Sequence, residues 1–373
     1  MLAATLAPSE PATLAEAAPA QVLAEVARIC ASDLAPAARA IDEGAYPADI
    51  LRKLAGAGAF GLHARAGGTL ADAIEAMSVV SQTCVATGFM AWCQNTLAWY
   101  LMMSDNAALR ARLLPKVVAG EVLGGTGLSN PMKSFFGIET LKLRGTRVEG
   151  GYKVKGLLPW VSNLGPDHYF GAVFALEGRE GNPVMALIDC ADPAVTLKPC
   201  EPFLAMDGTG TYAVQVRDLF IPDDLVLAHE AMPFVKKMRA GFILLQAGMA
   251  FGLMRDCLAM MMEVEGQLGH VNRYLPMQPG DLAGEIKALE AEVAALCATP
   301  DDPSNGYFRR VVAARLAAGD ACVAAANAAM LHCGARGYVA AHRCQRRLRE
   351  SYFVAIVTPA TKQLRLMLDQ LPA

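Results

Sequence analysis

Cysteine has the widest chemical repertoire of the residues in this chain, because thiols can bind metals, form disulfides or act as nucleophiles. The ten cysteines stand among apolar residues, as Cys84 and Cys93 do beside Trp92, and none belongs to a CxxC or other paired ligand spacing. This pattern predicts reduced thiols buried in the core. We expect no disulfide and no metal site.

Proton transfer would fall to histidines or carboxylates. His332 and His342 are candidates because the histidine side chain titrates near neutral pH, although a single histidine on an apolar helix is more often a core residue. The carboxylates on helical segments that could act as a base are Asp256, Glu263, Glu265, Glu285, Glu290 and Glu350. Base rates place most of them in surface ion pairs, and the residue types alone do not choose among them.

Three segments of different texture must position these residues. Residues 19–118 are rich in Ala and Leu, with apolar residues at helical spacing. From residue 121 to 227, glycines separate short alternating runs that are typical of β-strands. Helical patterns then return and continue to residue 371. The predicted domains are an all-α domain at 1–120, a β domain at 121–232 and an α-helical bundle at 233–373.

The composition excludes two classes of protein. Hydrophobic residues make up 54% of the 373 residues, charged residues make up 18%, and the mean hydropathy is +0.30, which excludes a disordered chain. Lys and Arg number 33 against 36 for Asp and Glu, a net charge of -3. This balance lacks the basic footprint of a nucleic-acid-binding protein.

The chain shows no targeting or membrane-spanning segment that we would assign. The most apolar run, residues 240–254, contains Gln246 and is too short to cross a hydrocarbon core of about 30 Å, so it predicts a helix buried in protein. Residues 1–20 carry acidic residues and no basic region before an apolar block, unlike a signal peptide. We therefore expect a cytoplasmic protein.

Short phrases in the right order carry a resemblance to a known family. They are LLPKVVAGE at residues 113–121, GLSNP at 127–131, GLLPWVSN at 156–163, FIPDDLVL at 220–227, GARGY at 334–338 and RLRE at 347–350. They resemble "LPK…GE…TEP", "GxKxWITN", "VPxxNxLG", "GGxGY" and "RLxRD" of the acyl-CoA dehydrogenase superfamily. The resemblance covers nearly the whole chain.

The resemblance implies a fold and a cofactor. It implies an α+β multidomain chain with an N-terminal α-helical domain, a middle β-barrel or sandwich and a C-terminal four-helix bundle. FAD would lie between the last two, in a homotetramer or dimer that oxidises acyl-CoA thioesters. A ring that accepts a hydride needs donors near N5, a flat wall and a dry cavity.

By this resemblance, two phrases would hold the flavin ring. Ser162 would donate near N5, Trp160 would pack on the ring, and Val161 lies between them. The strand formed by Gly127, Leu128 and Ser129 would offer backbone groups and a hydroxyl to the pyrimidine edge. The alternative is a purely structural role for Trp160 to Ser162, as a half-buried aromatic residue followed by a turn.

The resemblance also assigns residues to the rest of the cofactor. Gly334 and Gly337 would let the diphosphate or adenosine approach the backbone, the alternative being a helix cap and turn. Arg273 stands near the family's "RxxFG" arginine, which meets the FAD pyrophosphate of an adjacent subunit. The nearby arginines that could face phosphates, CoA or a neighbouring subunit, or equally a solvated helix face, are Arg336, Arg343, Arg346, Arg347 and Arg349.

The catalytic base of the family is missing at both of its usual places. The family's "IYEGT" passage reads IVTPAT here, so Thr358 occupies the glutamate position. Other members carry the glutamate on the helix that opens the bundle, where residues 238–243 contain no carboxylate. A hydroxyl cannot take the α-proton near neutral pH, so the catalytic residue stays unknown.

Three functions remain open at this point. The first is an FAD-dependent acyl-CoA dehydrogenase without the standard base, served by an electron-transfer flavoprotein. The second is a monooxygenase of the same fold that takes reduced flavin from a reductase and uses O₂, with His332, His342 or Ser162 as proton donors. The third is a non-catalytic relative that binds acyl-CoA, which the retained Trp160 and Ser162 disfavour.

Overall fold

The N-terminal part of the computed structural model, which describes residues 18–372, is helical. Its helices are α1 (Pro19–Ile29), α2 (Ala35–Asp42), α3 (Ala48–Gly56), α4 (Leu70–Thr83), α5 (Val85–Met103) and α6 (Ala107–Val118). Helix α4 begins at a capping box. The Asp72 amide donates to Thr69 Oγ1 and the Thr69 amide donates to the Asp72 carboxylate, so two N–H groups without helical partners are satisfied.

Helix α5 lies at the centre of the molecule. Every residue of it except Met102 is buried, as expected of a helix that is apolar on all sides. Gln94 links it to the following chain: its Nε2 donates to the carbonyls of Val117 and Val122, at 2.8 and 2.7 Å, and its Oε1 accepts from the Gly124 amide at 3.0 Å. Helix α5 therefore joins the helical lobe to the first strand.

The middle domain is one mixed sheet of eight strands. They are β1 (Gly124–Thr126), β2 (Leu143–Val148), β3 (Gly151–Val161), β4 (Tyr169–Leu176), β5 (Arg179–Asp189), β6 (Val195–Pro199), β7 (Tyr212–Pro222) and β8 (Val226–Ala228), with helix α7 (Ser129–Ser134) after β1. The order is β6-β7-β3-β2-β4-β5-β8, and β1 pairs with β4. Strand β4 is parallel to β1 and β2, and the other pairs are antiparallel.

The strands enclose a core of their own. Leu143 of β2, Phe170 of β4, Val184 of β5 and Val214 of β7 belong to one buried cluster, separate from the helical core. Alternate residues of these strands face this cluster, and the opposite face of β4 and β5 packs on the helical core through Val173, Met185 and Leu187. The predicted order of helical, β and helical domains is confirmed, while the domain boundaries stay a prediction.

The C-terminal part is a helical bundle. Its helices are α8 (Ala231–Leu244), α9 (Ala247–Asn272), α10 (Pro279–Cys297), α11 (Asn305–Cys333), α12 (Arg343–Ile356) and α13 (Thr361–Gln370). The apolar run 240–254 is buried, but it is not one helix, because α8 gives way to α9 at residues 245 and 246.

Two helical stretches pass a length and composition test for crossing a membrane. They are Ala231–Asn272 and Asn305–Arg336, and 83% and 61% of their most apolar windows lie buried inside the fold. Core helices pass the same test, so the two stretches are weak support for a membrane span.

The cysteines occupy the predicted environment with one exception. All ten are free thiols and nine of them are buried, whereas Cys200 is partly exposed. Among residues 18–372 no three His, Cys, Asp or Glu side chains gather in a way that would hold a metal ion.

Candidate functional site

A turn at the end of β3 fixes the Trp160 to Ser162 run. Asn163 follows it with a φ of 59°, in the left-handed region that asparagine tolerates better than most residues. Its Nδ2 donates to the Gly124 carbonyl and its Oδ1 accepts from the Tyr46 hydroxyl, both at 2.7 Å. The end of β3 is thereby held against β1 and the helical lobe.

The run from Gly127 to Ser129 is not the strand that we predicted. Strand β1 ends at Thr126, the Gly127 amide donates to the Gly171 carbonyl at 2.7 Å, and Ser129 begins helix α7. Pro131 explains the difference, since it has no N–H for a strand ladder but suits the first turn of a helix.

Gly127, Ser129 and Trp160 meet around one cavity of about 300 Å³. The other residues that line it are Asn130, Lys133, Glu139, Lys142, Leu158 and Pro159. Trp160 is 56% exposed, so a large part of its ring is open to a ligand. The structure thus brings together three of the predicted cofactor-binding residues.

Three other predicted residues have side chains that are engaged elsewhere. Leu128 lies in the helical core and Val161 in the core of the sheet, so each has only backbone groups to offer a ligand. Ser162 Oγ lies 2.7 Å from Thr211 Oγ1.

Thr358 brings the bundle to the same place as Ser129. It lies between α12 and α13, and its Oγ1 is 2.9 Å from Ser129 Oγ. Its carbonyl accepts a hydrogen bond from Gln246 Nε2 at 2.9 Å, and Gln246 Oε1 accepts one from Arg315 Nε at 2.7 Å. A chain of hydrogen bonds therefore runs from the cavity into the bundle.

Arg315 is a buried cation at the inner end of this chain. Its residue is 3% exposed, and it forms no ion pair with a carboxylate of residues 18–372. Burial lowers the pKa of Arg315 to about 10, so it stays charged at neutral pH. An uncompensated positive charge in a medium of low dielectric constant favours negative charge nearby.

Two carboxylates that the sequence offered as a base have another role. Arg347, whose side chain is 1% exposed, donates to Asp256 at 2.6 Å and to Glu350 at 2.7 Å. It also donates to the carbonyls of Ser81 and Gln82. Asp256 and Glu350 therefore belong to a buried ion network between the bundle and the helical lobe.

The other carboxylate candidates also lie away from the cavity. Glu290 pairs with Arg255 and Glu263 pairs with Arg343, while Glu265 and Glu285 are exposed. Glu263, Glu265 and Glu285 are surface residues, and Glu290 is partly exposed.

Most of the basic stretch near the C-terminus is likewise held by protein partners. Arg349 pairs with Asp42 at 2.6 Å, Arg346 donates to the Thr83 carbonyl at 3.0 Å, and Arg336 donates to Gln267 at 3.1 Å. Arg336 thus bonds within the bundle, whereas Arg346 and Arg349 join the bundle to the helical lobe.

Arg273, Gly334 and Gly337 gather at a second location. Asn272 donates to the His332 carbonyl at 3.1 Å, which ties the end of α9 to the end of α11. Gly334 has a φ of 58°, a conformation that favours glycine. Arg273 is exposed and its guanidinium lies 5.0 Å from the Tyr274 ring centre.

Neither histidine candidate lines the cavity. His332 is buried, and its Nε2 is 2.9 Å from the Met277 carbonyl. His342 caps helix α12, where its Nδ1 accepts from the Cys344 amide at 3.2 Å. The contacts of both histidines are structural.

Comparison with known proteins supports one family. The model of the family "Acyl-CoA dehydrogenase, N-terminal domain" matches residues 18–121. Benzylmalonyl-CoA dehydrogenase of Aromatoleum aromaticum is 25% identical over 92% of this chain and 94% of its own. The family model and the relatives together support the acyl-CoA dehydrogenase superfamily for this chain.

Solved structures agree with the superfamily fold. The glutaryl-CoA dehydrogenase complex with glutaryl-CoA superposes with a TM-score of 0.83 at 18% identity, over 99% of this chain and 96% of its own. A dibenzothiophene monooxygenase from Paenibacillus superposes with a TM-score of 0.77 at 14% identity, over 94% of this chain and 98% of its own. The same fold therefore carries dehydrogenases and an oxygenase.

Sequence reasoning missed three charged residues of the cavity. Glu139 lies between Lys133 and Lys142, with each Nζ 3.7 Å from a carboxylate oxygen. Glu139 Oε1 is buried and has no hydrogen-bond partner among the described residues. None of the phrases that carried the resemblance lies between residues 131 and 156, so no motif pointed to these side chains.

Proposed function

We propose that this chain is a flavin-dependent oxidoreductase that oxidises the Cα–Cβ bond of an acyl-CoA thioester. The observation that carries the proposal is the 2.9 Å contact between Ser129 Oγ and Thr358 Oγ1. It joins the residues that resemble a flavin site to the bundle loop that resembles the reaction centre of the superfamily. The name of the relative that acts on benzylmalonyl-CoA adds support.

The residues around the cavity fit a flavin, and FAD is the cofactor that we propose. Trp160 gives a flat wall, and Ser129 gives a hydroxyl. Lys133 and Lys142 line the same cavity and supply positive charge for a phosphate. When bound, the flavin would supply the acceptor for a substrate hydride.

Removal of the α-proton is the difficult step for this chain. The Thr358 hydroxyl has no accessible conjugate base near neutral pH. The other customary place for the base, residues 238–243, contains no carboxylate. Among the described residues the one carboxylate that lines the cavity is Glu139, which two lysines hold.

On this proposal the substrate carries a carboxylate at Cα, as in a 2-substituted malonyl-CoA. Loss of CO₂ leaves the electron pair of the broken C–C bond on Cα as a thioester enolate, so no base is needed. Departure of a hydride from Cβ then gives the enoyl-CoA. The balance is one substrate and one oxidised cofactor to enoyl-CoA, CO₂ and reduced cofactor. The Arg315 cation, linked to Thr358 through Gln246, would stabilise the negative charge.

A matched pair of thioesters tests this proposal. Ethylmalonyl-CoA and butyryl-CoA differ only in the α-carboxylate, and each would be mixed with FAD-loaded protein without oxygen. We expect ethylmalonyl-CoA to remove the visible flavin absorbance at least about 100-fold faster, because loss of CO₂ replaces a base-catalysed step. Stopped-flow absorbance and detection of crotonyl-CoA measure the result.

Glu139→Gln is the control variant for this experiment. It should leave oxidation of ethylmalonyl-CoA within about twofold. Fast oxidation of butyryl-CoA that Glu139→Gln abolishes would make Glu139 the base and overturn the decarboxylating reaction. Tight binding of both thioesters with no flavin reduction would contradict the oxidoreductase itself.

The double variant Trp160→Ala with Ser162→Ala tests the flavin wall. We expect the Kd for FAD to rise at least about tenfold, because ring stacking on Trp160 is lost and the Ser162 hydroxyl no longer holds the end of β3 through Thr211. The free energy of unfolding should change by no more than about 1 kcal/mol, since Trp160 is more than half exposed and Ser162 loses a single hydrogen bond. Flavin fluorescence titration and urea unfolding measure the two quantities.

Phe220→Ala is the matched control for the flavin wall. Phe220 is an aromatic residue of β7, 45% exposed and absent from the cavity lining. Its removal should leave the Kd unchanged. Equal flavin affinity in the double variant and the control would remove Trp160 and Ser162 from the site.

A monooxygenase is the second candidate, and the threonine in place of a carboxylate at position 358 favours it. Oxygen chemistry at a reduced flavin needs no α-proton base, and a monooxygenase shares the fold. The two histidines engaged in structural contacts give it no proton donor at the cavity. To test it, the protein is mixed with reduced flavin, ¹⁸O₂ and a thioether or aromatic substrate. Under our proposal no ¹⁸O enters a product, whereas an ¹⁸O-labelled product would favour the monooxygenase.

A further inference from the structure

Two cysteines bracket the segment that carries Gly334 and Gly337. Cys333 is the last residue of α11 and Cys344 is the second residue of α12, so ten residues separate them. Both side chains are buried. The segment between them is mostly exposed, and Tyr338 is 85% exposed.

The two thiols lie against each other beneath this segment. A Cβ atom placed on Gly337 would lie 2.9 Å from Cys333 Cβ and 3.3 Å from Cys344 Sγ. A hydrogen bond between the two thiols lowers the pKa of Cys333 and raises that of Cys344. The charge of the Arg343 guanidinium also favours the Cys333 thiolate. One sulfur of the pair is thus the better nucleophile.

We propose that Cys333 and Cys344 form a reversible disulfide when the protein meets a peroxide. The Cys333 thiolate attacks one peroxide oxygen, the O–O bond breaks, and Cys333 becomes a sulfenic acid while one water leaves. The Cys344 sulfur then attacks Cys333 Sγ and a second water leaves. Two thiols and one H₂O₂ thereby give one disulfide and two waters, and a dithiol reductant reverses the reaction.

The position of the pair gives this bond a structural effect. His332, one residue before Cys333, is already fixed through the Met277 carbonyl. At the other end His342 accepts from the Cys344 amide at the start of α12. A disulfide would join the two fixed ends directly and restrict the exposed segment between them. The backbone amides of residues 334–343 should exchange hydrogen at least about tenfold more slowly in the oxidised protein than in the reduced protein.

Peptide mapping tests the bond without any variant. The folded protein is treated with H₂O₂, unreacted thiols are blocked, and trypsin is added. Trypsin cuts after Arg336, Arg343 and Arg346, so Cys344 leaves in the tripeptide Cys344-Gln345-Arg346 and Cys333 in peptide 316–336. We expect these two peptides to be joined, and dithiothreitol to separate them.

Cys322→Ser removes the one ambiguity in the map. Cys322 shares peptide 316–336 with Cys333, and the joined peptides should persist in this variant. Cys93→Ser, at a buried thiol of α5, should leave both the joined peptides and the slowed exchange unchanged. Linkage of Cys344 to Cys257, or two blocked thiols after peroxide treatment, would overturn the proposal.

Discussion

Replacement of Arg347 by methionine should lower the free energy of unfolding by about 3–5 kcal/mol. The side chain is buried and holds Asp256, Glu350 and two backbone carbonyls. Methionine fills a similar volume, but among the described residues the ion pairs that remain are Asp256 with Arg343 at 3.4 Å and Glu350 with Arg346 at 3.8 Å, both longer than the contacts that are lost. Urea unfolding followed by circular dichroism measures the loss.

Two further variants separate charge from packing in the Arg347 network. Arg310→Ala breaks the exposed pair with Glu292 and should cost less than about 1 kcal/mol. Adding Glu350→Gln to Arg347→Met should restore part of the stability, because it removes a buried charge whose remaining ion pair, with Arg346, is 3.8 Å long. A loss below about 1 kcal/mol in Arg347→Met would show that water reaches the network.

The second large effect is expected from Gly125→Ala in β1. A Cβ at this position would lie 2.0 Å from the Ser162 carbonyl, which belongs to the backbone and cannot turn away. Strand β1 and the end of β3 must separate, at a cost of about 1–3 kcal/mol or more. The Kd for FAD should rise at least about tenfold, because Trp160 and Ser129 move apart.

Gly181→Ala is the matched control for Gly125→Ala. Gly181 lies in β5, and a Cβ there would meet no atom within 4 Å. Its replacement should change stability by less than about 0.5 kcal/mol and leave flavin affinity unchanged. Equal flavin titrations for the two variants would mean that close packing of β1 on β3 does not position the site.

The sequence predicted the parts of this site that depend on short motifs. Trp160 and Asn163 belong to one short motif, and the end of β3 and the left-handed turn at Asn163 depend on neighbouring residues in the sequence. The three-part order of the chain was also predicted, since helical and strand patterns differ in period.

Other parts of the site depend on long-range packing and escaped prediction. Lys133, Glu139 and Lys142 meet at the cavity because the Asn130 side chain binds the Thr140 carbonyl and the Lys142 amide and so brings residues 140–142 back to α7. No local period encodes that path. In the basic stretch, Arg347 turned out to be buried and Arg336 exposed. Only the packing of α12 on the helical lobe distinguishes them.

Helix α5 limits how this protein can be divided. A fragment that ended after α6 would contain the whole helix yet lose the acceptors of its indole N–H groups. Trp99 donates to the Met238 carbonyl at 2.9 Å and Trp92 to the Phe242 carbonyl at 3.4 Å, both on α8. Each orphaned donor would cost about 1–3 kcal/mol, beside the apolar surface laid bare. Residues 18–121, which match the family model, should therefore not fold as an independent domain. A chimaera of two relatives would have to take α5 and α8 from the same parent.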